Sequence, residues 1–211
     1  MTVALTVVAV LVMAAFAGGT IWNIRKGSQL MRWMQGGLPR VGERTTVRWL
    51  GSTSVEMVIR QARPPFEQVA LVIFMEPRDV PWMWALSRRQ GRRDTLIVRA
   101  WLRAAPRADL EALDRWSWSG RDAMRRLSAE PWSVREPSAP GGLAVYYKAA
   151  AALPRADALV ELARRGGLVV RRLSVRRTEP HLQIHLALPG AGASASEFFE
   201  TVRALGERAP S

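Results

Sequence analysis

The run LAVYYKAAAALPRADALVELARRGGLVVRRLSVRRTEPHLQIHLALPGAGASASEFFETVRALGER, residues 143–208, decides the fold class. Leu143 to Lys148 is rich in branched and aromatic side chains and predicts a strand. Pro154 to Arg165 predicts a helix: Leu159, Leu162 and Ala163 recur at helical spacing, and Gly166-Gly167 supplies the stop. Leu168 to Arg177 and His181 to Leu188 predict two antiparallel strands joined at Thr178-Glu179-Pro180. Ser194 to Arg208 predicts a last helix, with Ser194 or Ser196 as cap and Phe198, Val202 and Leu205 as its apolar stripe. Strand, helix, strand, strand, helix is most of a ferredoxin-like unit, short of one strand that the first half can supply.

Upstream, Thr46 to Leu50 and Val55 to Arg60 flank a Gly51-Ser52-Thr53 connection and read as a hairpin. Phe66 to Met75 and Thr95 to Leu102 are further β-prone runs. Leu110 to Trp118 is ambiguous between strand and helix, and a short helical stretch ends at Leu127. The fold class expected is therefore α+β: an N-terminal transmembrane helix, then a mainly antiparallel-sheet domain whose C-terminal half is ferredoxin-like. The expected organisation is a span at 1–24, a juxtamembrane connector at 25–43, a β-rich half at 44–136, a Pro/Gly linker at 137–142 and an α/β half at 143–208.

The span rests on the first 24 residues, which carry no charged side chain before Arg25 and Lys26. A helix of about 20 apolar residues crosses a bilayer. A secretory signal opens on positive charge, which is lacking here, so an uncleaved signal-anchor is expected rather than a cleaved leader. Arg25, Lys26, Arg32 and Arg40 follow the span, and the positive-inside rule then puts the N-terminus outside and the basic domain in the cytoplasm, at the cell membrane. Trp22, Arg25, Lys26 and Trp33 are the expected interface anchors. Ala14, Ala15, Gly18 and Gly19 have the small-residue spacing that lets a second helix pack closely, as a homo-oligomer or with another chain.

Net charge is +13, almost all of it arginine, and there is no cysteine. Disulfides and thiolate chemistry are excluded. The charge favours anionic lipid or an acidic protein partner over nucleic acid, for which no recognised motif is present. The most unusual segment runs from Met75 to Asp94. There Trp82 and Trp84 precede Arg88, Arg89, Arg92 and Arg93, the mixture of rings and guanidinium groups that suits a membrane interface or a partner surface. The alternative is that both rings fold back on the domain.

Chemistry-bearing patterns are weak. His181 and His185 alternate with Leu182, Ile184 and Leu186, which is strand periodicity. Four strand residues separate the rings by about 13 Å, too far for one zinc. Asp157 with Glu161, and Asp109, Glu111 and Asp114, lie among arginines and read as surface ion pairs. Arg172 and Arg176 share one face of a strand, expected to point to solvent. No catalytic residue, cofactor or metal site is predicted. The function expected is a single-pass accessory, assembly or scaffolding protein. The alternatives are a membrane-associated enzyme with a site invisible in sequence, and a membrane-tethered nucleic-acid binder.

Overall fold

The computed structural model describes residues 2–190 and 192–210. Helix α1 (Thr2–Gln35) leads into strands β1 (Gly42–Trp49), β2 (Ser54–Ala62) and β3 (Phe66–Phe74). Helix α2 (Pro81–Arg89), strand β4 (Thr95–Leu102), strand β5 (Leu110–Leu113), helix α3 (Trp118–Leu127) and strand β6 (Ser133–Arg135) follow. The chain ends with β7 (Ala144–Tyr147), α4 (Leu153–Arg165), β8 (Val170–Val175), β9 (Leu182–Ala187) and α5 (Ala195–Arg208). The class is α+β: the strands form one antiparallel nine-stranded sheet in the order β1-β2-β3-β4-β9-β8-β5-β7-β6.

The sheet differs from the expected ferredoxin-like half. That arrangement requires β9 between β7 and β8. Instead β5, from the first half of the chain, occupies that place, and β9 turns outward to pair with β4. The reason is a matter of available edges: β4 is a long apolar strand that needs a second ladder, and β5 buries its side chains on both faces of the sheet. Residues on either side of 137–142 therefore share one sheet.

Strand alternation divides the side chains into two sets. On one face lie Val55, Met57 and Ile59, then Val69, Leu71 and Ile73, then Leu96 and Val98, then Leu182 and Ile184, then Leu173 and Val175, all buried. Met31 and Met34 of α1, Leu159 of α4, and Phe198, Phe199 and Leu205 of α5 pack onto this face in one core. Burial of each such side chain contributes roughly 1.5–3 kcal/mol. The opposite face carries the polar row Arg99, Gln183, Ser174 and Glu111. It is covered at one side by α3, whose Ala123 and Leu127 pack on Leu113.

Two local features matter for the site. Helix α1 runs through Arg25-Lys26, across the expected boundary between span and connector, and ends at Gln35 before Gly36-Gly37; Met31 and Met34 gain burial by staying helical. The stretch after Met75, expected as a loop, contains helix α2. Pro81 starts it, having no N–H to leave unsatisfied in a first turn.

Candidate functional site

The register of the strands defines one end of the sheet. Trp49 pairs with Val55, Ser54 with Phe74, Phe74 with Thr95, and Thr95 with Ala187. The Val169 carbonyl accepts from the Ala187 N–H, and the Asp114 N–H donates to the Arg171 carbonyl, so the starts of β8 and of the β5–α3 connection lie at this end too. Helix α1 leaves the domain here. A methyl added at Gly27 would lie 2.6 Å from the Trp49 ring. Asn23 is fully buried and donates to the Glu76 carbonyl. A methyl at Gly19 would lie 2.2 Å from the Arg78 carbonyl oxygen, so only glycine permits this approach.

Charge ties the same junction together. The Asp94 carboxylate accepts from Arg78 through both oxygens (3.0 and 2.8 Å), from Lys26 at 2.5 Å and from the Glu76 N–H at 2.7 Å. Arg78 also donates to Asn23 Oδ1 and pairs with Glu76. Trp84 donates its indole N–H to Glu76 Oε2. Burial pushes the Asp94 carboxyl up, but the hydrogen bonds from Arg78, Lys26 and the Glu76 N–H outweigh it and hold Asp94 below its usual range.

This end also gathers exposed apolar groups. Trp82 (65% exposed), Met83 and Leu86 project from α2. Trp49, Leu50, Phe74, Trp116 and Val169 lie on the neighbouring strand ends and connections. Beyond α1, the remaining exposed large apolar side chains among the described residues are Val47 and Val134. Arginines border the patch. Arg88 is exposed and lies 5.3 Å over the Trp84 ring; Arg89 is exposed; Arg92 stacks at 4.3 Å on Trp118; Arg93 donates to the carbonyls of Arg88 and Arg92.

The expected site residues thus separate into groups. Trp82 faces outward, whereas Trp84 is half-buried against Glu76. Trp22 and Arg25 are exposed on α1. Lys26 is spent on Asp94, and Trp33 is half-buried against α5, donating to the Ala193 carbonyl and meeting Phe198 edge-on at 5.3 Å. Of the small residues, Gly19 packs on the domain and Ala15 is partly covered, while Ala14 is exposed and a methyl at Gly18 would meet nothing within 4 Å. Trp49, Phe74 and Trp116 were not singled out by sequence, because each is an ordinary strand-end or loop residue until the register aligns them.

The polar face holds a second constellation. Glu111, fully buried, accepts from Arg172 Nε and Nη2 at 2.8 Å each, from Ser174 at 3.2 Å and from Arg176. Arg176 also stacks at 4.6 Å on Trp132, and Lys148 meets the same ring at 4.9 Å. The expectation of solvent-facing Arg172 and Arg176 is corrected: both turn inward, because a carboxylate on the adjacent strand β5 sits in the same row. Glu111 is a core group and not a surface one. Asp157 pairs with Arg135, and Glu161 with Arg164 and Arg165, as surface ion pairs.

The two histidines serve different neighbours. His181 Nδ1 accepts from the Leu102 N–H at 3.0 Å. His185 Nε2 lies 2.7 Å from Gln183 Nε2, and since an amide nitrogen only donates, the ring accepts and is neutral. Burial and then the charges of Arg172, Arg99 and Arg126 push the His185 pKa down to about 3. A lowered folded-state pKa means that the unfolded chain takes up the proton first. The His185 contribution is complete above about pH 6.5 and is lost as pH falls from there toward 3. His185→Gln is expected to flatten the fall in urea midpoint between pH 7 and pH 4.5 relative to the unsubstituted chain; an unchanged slope would show that His185 titrates normally.

No protein-family model matches this chain, and no curated protein matches it in sequence. Helix α1 is the one described helix long and apolar enough to cross a membrane, and its most apolar stretch is not buried by the rest of the chain.

Proposed function

We propose that this chain is a single-pass membrane protein, N-terminus outside and basic domain cytoplasmic, acting as a membrane-anchored accessory, assembly or scaffolding protein. Its domain rests against the bilayer through α2 and meets anionic lipid or an acidic protein partner. The observation that carries the reading is the convergence, at one end of the sheet, of the exit of α1, the outward apolar patch and its bordering arginines.

The geometry of α1 supports close contact. With Gly19 seated on the Arg78 backbone, the exposed apolar part of α1 leaves the domain directly beside the start of α2. Helix α2 begins two residues beyond the Asp79 backbone that Gly19 touches, so Trp82, Met83 and Leu86 stand where the headgroups would be. Indole rings favour that layer, and the arginines of the α2 end reach lipid phosphates.

The chain lacks cysteine, so a single spin label is unambiguous. With the full chain in vesicles containing anionic lipid, a label at Leu86→Cys is expected to show high accessibility to oxygen and low accessibility to an aqueous nickel chelate. A label at Ala105→Cys, at the far end of the sheet, is expected to show the reverse. Equal aqueous accessibility at the two positions would reject α2 as a membrane contact.

A further inference from the structure

Strand β1 is an open edge. It terminates the nine-stranded order, is eight residues long, pairs with β2 in unbroken register from Arg44 to Trp49, contains no proline, and is exposed from Glu43 onward. Its hydrogen-bonding parity can be read from the hairpin. The Leu50 N–H donates to the Ser54 carbonyl at 2.9 Å, and the same register continues down the strand. Antiparallel pairs alternate between bonded and unbonded, so Arg48, Thr46 and Arg44 bond inward to β2. The N–H and C=O groups of Thr45 and Val47 point away from the sheet with no strand to receive them. Unpaired ladders of this kind template the addition of a strand.

The side chains state what that strand carries. Arg44 and Arg48 stand on the polar face; Arg48 lies 3.5 Å from the Glu56 carboxylate of β2 and keeps most of its side chain exposed, so Arg44 is the cation left without a carboxylate. Arg44 is opposite Arg60, and neither has a carboxylate partner among the described residues. Like charges directly opposite one another are destabilising until an anion joins them. On the other face Val47 (48% exposed) and Trp49 prolong the apolar rows of Met57 and Val55 past the last strand. A second copy of this chain is the wrong occupant, since two-fold pairing of β1 with itself would set four arginines on one face.

We infer that β1 is the docking edge for an extended segment of a partner protein in which acidic residues alternate with apolar ones. The carboxylates lie beside Arg44 and Arg48, and the apolar side chains lie beside Val47 and Trp49. This deepens the accessory reading by naming the surface through which the partner binds, and it does not depend on the membrane contact of α2.

The test uses the full chain in neutral-lipid nanodiscs and a blocked, fluorescent peptide of alternating valine and glutamate, matched to the eight residues of β1. Binding is followed by anisotropy. Methylating the peptide nitrogens on one of its two alternating sets is expected to weaken binding at least about tenfold, and methylating the other set to leave it nearly unchanged, because one edge of the peptide meets β1. Val47→Pro, which removes an outward N–H but no bond to β2, is expected to weaken binding by a similar factor with a nearly unchanged thermal midpoint, whereas Val47→Ala, which removes the side chain and keeps the N–H, is expected to weaken it less. Arg44→Glu is expected to weaken the glutamate peptide and not a valine–threonine counterpart. Equal effects from the two methylated sets would overturn strand addition, and so would pairing of the chain with itself in sedimentation that the peptide fails to reverse. A negative vesicle result for Leu86→Cys alongside set-specific peptide binding would reject the membrane contact and keep the docking edge.

Discussion

Glu111→Ala is expected to destabilise the domain by about 3–5 kcal/mol, the usual loss when one partner of a buried ion pair is removed. Glu111 is fully buried and is the shared acceptor of Arg172, Arg176 and the Ser174 hydroxyl. Arg172 is 12% exposed, so its guanidinium cannot recover full hydration once the carboxylate is gone. Arg176 remains stacked on Trp132 beside Lys148, which holds the cations close together. At about 2–4 °C per kcal/mol for a domain of this size, the thermal midpoint followed by circular dichroism should fall by roughly 10 °C. Replacing the whole triad by apolar residues of similar volume should restore most of the loss, since an intact buried triad contributes little net stability over a packed core. A fall of less than about 1 kcal/mol for the single substitution would show that the arginines turn outward and that Glu111 is dispensable.

Asp94→Ala acts where α1 meets the segment around α2. Asp94 is the only carboxylate that joins α1 to the segment before α2, through Lys26 on one side and Arg78 on the other, among the described residues. Its side chain is 9% exposed. Removing it leaves Arg78 without its two strongest acceptors and the Glu76 N–H without a partner, a cost of about 3 kcal/mol. The α2 segment should then open on its own: hydrogen exchange at residues 76–94 should accelerate more than exchange in β2 and β3. Uniform acceleration, or none, would separate Asp94 from the positioning of α2. The wild-type contact is also acid-sensitive in a defined direction. Because the folded carboxyl is held below its unfolded range, its contribution is complete above the unfolded pKa near 4 and is lost as pH falls through the folded value.

The segments that sequence reads well here are those whose reason is local. Helix α4 and helix α5 follow from apolar spacing with Gly166-Gly167 as a stop and Ser194 as a cap, and the Ser194 hydroxyl accepts from the Glu197 N–H. His185 was readable as a polar-face residue because Leu182, Ile184 and Leu186 alternate with it. Helix α2 was less legible. Its nine residues are too few for a clear period, and its helix begins at a proline, which sequence alone reads as a break. The candidate site was legible in part. Trp82 stood out by composition, but Trp49, Phe74 and Trp116 come from three distant segments and meet at one sheet end only through strand register.

The sequence by itself determined the apolar, charge-free helix, the arginine excess, the α+β class and the separation of apolar from polar strand faces. Each depends on residues within one or two turns or on one strand's alternation. Only the tertiary structure decided that β5 inserts between β7 and β8, that Arg172 and Arg176 close on Glu111, that α1 is welded to Asp94 and the Glu76–Asp79 backbone, and that β1 is left as an open edge. These outcomes depend on which edges and charges remain unpaired after all nine strands have assembled. That is a competition between segments far apart in the chain, and no local pattern encodes its result.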